Sequence, residues 1–142
     1  MNDARYNLLR QSVIDAPVVM KGDYAYFIHP LSDGVPQQSA ELLAAARDLI
    51  NEQVNWDSVD IILGIEAMGI PLATALSLAS GKPLVVGRKR TYGLPGEFAI
   101  DQTTGYSKGE IYLNDIGKGD RVLLVDDVVS TGGTLLLSLI HI

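Results

Sequence analysis

The chain contains no cysteine, which excludes disulfides and thiolate metal sites. No apolar run is long enough to span a bilayer. The N-terminus, where Asp3, Arg5, Arg10 and Asp15 interrupt short apolar runs, does not read as a signal peptide. Positive charge is scarce: the formal net charge is −6. That balance argues against broad nucleic-acid binding. It still admits a small anionic ligand, because local backbone amides can hold phosphate. No internal repeat or low-complexity tract is visible. The default expectation is a soluble cytoplasmic protein with neither nucleic-acid nor membrane partners. With 142 residues, 47% of them apolar, the chain suits one domain over 1–142 with a real core.

Hydrophobic patterning predicts the elements. Tyr24 to Ile28 is short and aromatic and reads as a strand, followed by a turn-rich loop through Pro30, Ser32, Asp33, Gly34 and Pro36. Between Ser39 and Val54 the residues Leu42, Leu43, Ala46, Leu49, Ile50 and Val54 recur at helical spacing, so an amphipathic helix is expected. Asp60 to Ile65 is a continuous apolar run, as a buried parallel strand requires. Pro71 should open a helix that Gly81 stops. Leu84 to Val86 and Val122 to Val125 are further buried strands. Strands alternating with helices define an α/β domain with a mainly parallel central sheet flanked by helices.

The stretch from about 88 to 118 differs, being polar and glycine-rich. Its two alternating segments, Glu97 to Asp101 and Glu110 to Asn114, predict a half-buried antiparallel ribbon projecting from the sheet. An insertion of this length in a compact domain is usually functional, often a lid. At the other end, Thr134 should open a helix, yet the sequence closes after a few more residues. The expectation is a C-terminus that lacks elements.

The most informative segment runs from Val122 to Thr134. A buried strand ends in Asp126 and Asp127, and Val128-Val129-Ser130-Thr131-Gly132-Gly133-Thr134 follows. In open α/β sheets ligands bind at the carboxyl ends of strands. A turn of backbone amides and hydroxyls leading into a helix suits a phosphate, and Gly132 and Gly133 permit close backbone approach. Two carboxylates ahead of that cradle suit a ribose diol, since carboxylates accept hydrogen bonds from hydroxyls. A Walker A loop would need Gly-Lys-Ser/Thr, and this segment has no lysine.

This segment resembles the 5-phosphoribosyl-1-diphosphate (PRPP) signature of the type I phosphoribosyltransferases. The resemblance implies that Asp126 and Asp127 hold the ribose 2- and 3-hydroxyls and that Ser130, Thr131, Gly132, Gly133 and Thr134 hold the 5-phosphate. Gly64 to Pro71, taken alone an ordinary strand-to-helix loop, is similar to a family loop whose backbone binds diphosphate through the positions of Glu66, Ala67, Met68 and Gly69. In the adenine-type family that loop contains a non-proline cis peptide, here matched by Glu66-Ala67. Met68 stands where the family commonly has arginine, which removes one cationic contact.

Arg88 and Lys89, in the basic run after the strand at 84–86, are the cations that the resemblance assigns to the diphosphate. Thr103 to Glu110 resembles the family's flexible hood. Adenine phosphoribosyltransferases carry a glutamate before the tyrosine of this segment, whereas Gly105 precedes Tyr106 here. That departure leaves Lys108 and Glu110 as the nearby acid/base candidates. Tyr26 and Phe27, in an aromatic strand that could equally serve a core, become base-stacking candidates, because a ring stacks on any base.

The finer pattern is most similar to archaeal hypoxanthine/guanine phosphoribosyltransferases, which are themselves like the adenine enzymes. It lies in Tyr26 to Gly34, Gly64 to Pro71, Arg88 to Glu97 and Thr104 to Glu110. The implied activity is purine salvage: PRPP and hypoxanthine or guanine give the nucleoside monophosphate and diphosphate. Mg²⁺ would be held mainly through PRPP rather than directly by the protein, and a homodimer is implied. The same reaction on adenine is the nearest alternative. A PRPP-sensing regulator without turnover is the alternative from another class.

Overall fold

The computed structural model describes residues 3–103 and 108–128. The chain divides into two compact units, Met1–Val54 and Asn55–Ile142.

In the first unit, helix α1 (Ala4–Ile14) starts at Asp3, whose side chain accepts a hydrogen bond from the Arg5 backbone N–H at 2.9 Å. Sequence patterning does not reveal this helix, because it buries none of its residues and so carries no apolar stripe. Strands β1 (Val18–Lys21) and β2 (Tyr24–Phe27) form an antiparallel hairpin. The expected aromatic strand is present, yet Tyr24 and Phe27 are exposed rather than part of a core.

The segment expected as a loop instead begins with a one-turn helix, α2 (Pro30–Asp33). Pro30 occupies a first-turn position where its missing N–H costs nothing, the His29 side chain caps the turn, and left-handed Gly34 ends it. Helix α3 (Ala40–Asn51) is the predicted amphipathic helix. Ser39 caps it by accepting from Leu42 N–H at 3.1 Å, and Leu42, Ala45 and Ala46 are buried. Arg5 bonds Glu52 at 2.5 Å where α1 meets α3.

The second unit is built on strands β3 (Ile61–Ile65), β4 (Leu84–Gly87) and β7 (Val122–Val125), all parallel in the order β4-β3-β7. At their amino ends, Arg121 pairs with both oxygens of Asp60 at 2.8 and 2.9 Å. Helix α4 (Gly69–Ser80) joins β3 to β4. It begins two residues before Pro71, which still lies in the first turn, where no N–H is required, and it ends at left-handed Gly81 as expected.

Side chains alternate across the sheet. Gly64 faces α4, where a Cβ would stand 2.7 Å from that of Ala73. Only glycine lets helix and strand approach so closely.

Strands β5 (Phe98–Thr103) and β6 (Lys108–Leu113) form the predicted antiparallel ribbon. Its base does not project away from the sheet. Cross-strand partners Phe98 and Leu113, and Ile100 and Ile111, place apolar side chains on one face. That face packs on Leu63 and Ile65, with Val85, Val122 and Leu124 alongside. Alternation leaves an apolar stripe on the ribbon, and each side chain fully buried this way contributes about 1.5–3 kcal/mol. Arg88 and Tyr112 exchange two backbone hydrogen bonds, at 2.7 and 3.0 Å, and join the ribbon to the end of β4. The ribbon thus covers one face of the sheet and α4 the other.

Candidate functional site

The carboxyl ends of β3, β4 and β7 lie side by side, so three loops meet where ligands bind in open α/β sheets. After β3, the peptide bond between Glu66 and Ala67 is cis, as the resemblance implied. Glu66 N–H donates to Gly87 O at 3.0 Å, and Ile70 N–H donates to Ala67 O at 3.2 Å, closing the turn into α4. Gly69 is buried against the end of β7. A Cβ there would stand 2.7 Å from Val125 O and 3.3 Å from Asp126 Oδ1. The missing side chain lets the two loops touch.

Asp126 is half-buried, and its Oδ1 accepts from Asp127 N–H at 2.9 Å. Burial pushes the Asp126 carboxyl up to about 7, and the Asp127 side chain beside it adds to the rise, while Lys89 works the other way. A buried carboxyl facing a second acid keeps its proton far above the usual carboxylate range.

Glu66 behaves oppositely. Its carboxyl is held below its ordinary value, first by the Lys89 backbone N–H and then by the Arg88 guanidinium. Oε2 accepts from Arg88 Nε at 2.8 Å and from Lys89 N at 3.0 Å. Lys89 itself is exposed.

Beyond this basic run, Glu97 organises the loop. It accepts from the Thr91 hydroxyl, from Tyr92 N–H at 3.0 Å, from Gly93 N–H at 3.1 Å and from Asn114 Nδ2 at 2.9 Å. Those bonds, that of Thr91 first, lower its carboxyl to about 2. The Tyr92 ring lies under Arg90 at 5.0 Å and Arg88 at 5.8 Å. Sequence reasoning missed Glu97 as an organiser. Its signal was an acid four residues after a Tyr-Gly pair, where backbone N–H groups need acceptors.

The fold brings together the expected Glu66, Ala67, Met68, Gly69, Arg88, Lys89, Asp126 and Asp127 at neighbouring strand ends. Ser130 to Thr134 lie outside the described residues. Lys108 begins β6, its backbone paired with Thr103. Glu110 is exposed on the ribbon face opposite buried Ile111 and accepts from the Tyr112 hydroxyl, which raises the Tyr112 pKa.

In the first unit, Tyr26 donates to Asp33 Oδ1 at 2.7 Å, and Phe27 stacks on His29 with ring centroids 5.5 Å apart. Buried His29 was not anticipated. Its Nδ1 accepts from Leu31 N–H at 3.2 Å, and its Nε2 lies 2.9 Å from Ser12 Oγ. The available signal was a polar side chain immediately before a helix-opening proline. Among the described residues, no three histidine or acidic side chains gather as a direct metal site.

The phosphoribosyl transferase domain family matches residues 37–142 of the chain. The chain belongs to the phosphoribosyltransferase family.

Among curated relatives, a hypoxanthine/guanine phosphoribosyltransferase of Ferroglobus placidus is 57% identical over 133 residues, covering 94% of this chain and 71% of that protein. One of the same name from Methanohalophilus mahii is 59% identical over 128 residues, covering 90% of this chain and 67% of that protein. Among solved structures, the adenine phosphoribosyltransferase of Rhodothermus marinus superposes with a TM-score of 0.74 at 25% identity, over 97% of this chain and 77% of that one. The phosphoribosyltransferase fold expected from the sequence, a parallel sheet flanked by helices with an antiparallel ribbon, is thus the fold of this chain. None of the described helices is long and apolar enough to cross a membrane.

Proposed function

We propose that this phosphoribosyltransferase transfers the 5-phosphoribosyl group of PRPP to hypoxanthine or guanine, yielding the nucleoside 5-monophosphate and diphosphate. The observation that carries the reading is the convergence of the 66–69 loop, the Arg88-Lys89 cations and the Asp126-Asp127 pair at adjacent strand ends. Relatives named for 6-oxopurine substrates, at more than half identity, support the choice of base.

In this mechanism the ribose hydroxyls donate to Asp126 and Asp127, and Ser130 to Thr134 hold the 5-phosphate on backbone amides and hydroxyls. The bond between C1 and the diphosphate oxygen breaks with its electron pair leaving on the diphosphate, while the purine nitrogen forms the new bond to C1. The developing negative charge meets the loop amides that follow Glu66, at residues 67–69, and the cations Arg88 and Lys89. The purine nitrogen must lie in line behind C1, which is a positioning task. Beyond its packed base, the 88–118 hood would exclude water that would otherwise hydrolyse PRPP. Lys108 and Glu110 are the candidates for moving the proton that the purine loses.

Mg²⁺ fits this donor set. Hard carboxylate oxygens at Asp126 and Asp127 stand beside the region assigned to diphosphate, which would carry most of the ion's ligands and have its charge neutralised by it. The reading extends to a single domain over 1–142, a cytoplasmic location and a homodimer.

Chromatography of reactions containing PRPP, Mg²⁺ and one of hypoxanthine, guanine, adenine or xanthine tests the proposal. Inosine or guanosine monophosphate is expected. Adenosine monophosphate alone would keep the enzyme and overturn the substrate. No product from any base, with PRPP still bound, would replace catalysis by sensing.

A further inference from the structure

We propose that the Glu66 side chain is a positioning residue for diphosphate, acting through Arg88 and Lys89 without touching the ligand. The inference rests on the reading of residues 66–69, 88 and 89 as the diphosphate site. A carboxylate in such a site is unexpected, since it repels the ligand. Its geometry supplies the reason for its presence. One oxygen, Oε2, takes both the Arg88 Nε–H at 2.8 Å and the Lys89 backbone N–H at 3.0 Å. Glu66 is the first residue after β3, and Arg88 and Lys89 are the first two after β4. The Glu66 N–H bond to Gly87 O, at 3.0 Å, ties the same two strand ends through the backbone.

A single carboxylate oxygen therefore clamps the start of the basic run to the loop read as the diphosphate site. The pairing uses Nε of Arg88, so the two terminal nitrogens of its planar fork lie outside this bond. The side chains keep 36% (Arg88) and 27% (Glu66) of their surface exposed, so the pair lies at a solvent-reachable edge and is not locked in the core. An arginine already held in place loses less freedom when an anion arrives. The clamp thus offsets the repulsion that the carboxylate introduces.

Calorimetric titration of inorganic diphosphate with Mg²⁺ into the full chain tests this. Glu66→Ala is expected to weaken binding about 10-fold, the scale of one charge-assisted hydrogen bond. Glu66→Gln, which keeps an oxygen acceptor at the same place, stays within about 3-fold of the parent. In turnover assays Glu66→Ala raises KM for PRPP and leaves KM for the purine unchanged. In an Arg88→Ala background the Glu66→Ala effect shrinks. If both Glu66 variants bind diphosphate more tightly than the parent, the carboxylate is only a repulsive neighbour and the inference is overturned. Unchanged affinity with a lowered melting temperature would mean a purely structural tie and would also overturn it. A parent chain that binds no diphosphate would instead overturn the reading of the site itself.

Discussion

The loop after β3 and the end of β7 touch across Gly69, and each presents an acid, yet their surroundings drive the two acids in opposite directions. Glu66 meets a backbone N–H and a guanidinium and stays ionised. Asp126 is half-buried beside a second carboxyl and holds its proton to about 7. Residue type therefore says little about charge at this site. What decides is whether donors or another acid fill the space around the carboxyl.

The largest expected effect comes from removing the β7 pair. Assayed at pH 8, above the Asp126 pKa, the double variant Asp126→Asn/Asp127→Asn should lower kcat/KM for PRPP by about 100-fold or more, because each lost charged acceptor costs about 1.5–3 kcal/mol. Circular dichroism should report an intact fold. Near-parental turnover would remove both residues from the ribose site.

Next is the joint between the regions. Gly69→Val places side-chain atoms where a Cβ alone would already lie 2.7 Å from a backbone oxygen. Overpacking of this kind costs about 1–3 kcal/mol. Thermal melting should fall accordingly, with PRPP affinity falling alongside. A variant that melts at the parental temperature would show that the loops separate freely.

The opposed titrations predict opposed pH dependence. Asp126 has a folded pKa near 7 against an ordinary 3.8, so its favourable contribution is complete below about 3.8 and is lost as pH rises to about 7. Glu66 is shifted down from 4.5, so its contribution is present above that value and is lost as pH falls through the lower folded value. Denaturant melts from pH 2 to 8 should therefore show Asp126→Asn removing a decline between about 4 and 7, while Glu66→Gln alters only the acid limb below 4.5. Coincident changes in the two profiles would erase the contrast.

The smallest effect is expected at Lys89, whose charge partly offsets the rise at Asp126. Because it is exposed, Lys89→Ala should raise the apparent pKa of the Asp126 carboxyl only slightly, as carboxyl NMR shifts would show. It should also weaken diphosphate about 3-fold, in keeping with the modest worth of an exposed charge.

Much of the frame was legible beforehand because its signals are local. Continuous apolar runs marked β3, β4 and β7, helical spacing marked α3, and Gly81 marked the end of α4. Helix α1 escaped notice because a helix that buries nothing leaves no periodic trace. The one-turn α2 was hidden in a turn-rich composition that a capped helical turn shares. The ribbon's strands were visible as alternation, but alternation alone does not tell what the apolar face covers. Its packing on Leu63 and Ile65 makes the base of the expected lid part of the core.

The site divides in the same way. The acids, the glycines and the basic run, with their positions at strand ends, follow from the order of residues alone, since strand and turn propensities act over a few neighbours. The strand order β4-β3-β7 does not, nor does the clamp of Arg88 and Lys89 on Glu66. Those partners are more than twenty residues apart in the chain and meet only when parallel pairing aligns Ile65 with Gly87. Charge states at Asp126 and Glu66 were beyond the sequence for the same reason. Desolvation and hydrogen bonding depend on what the folded chain places around a carboxyl, and that is decided by tertiary packing.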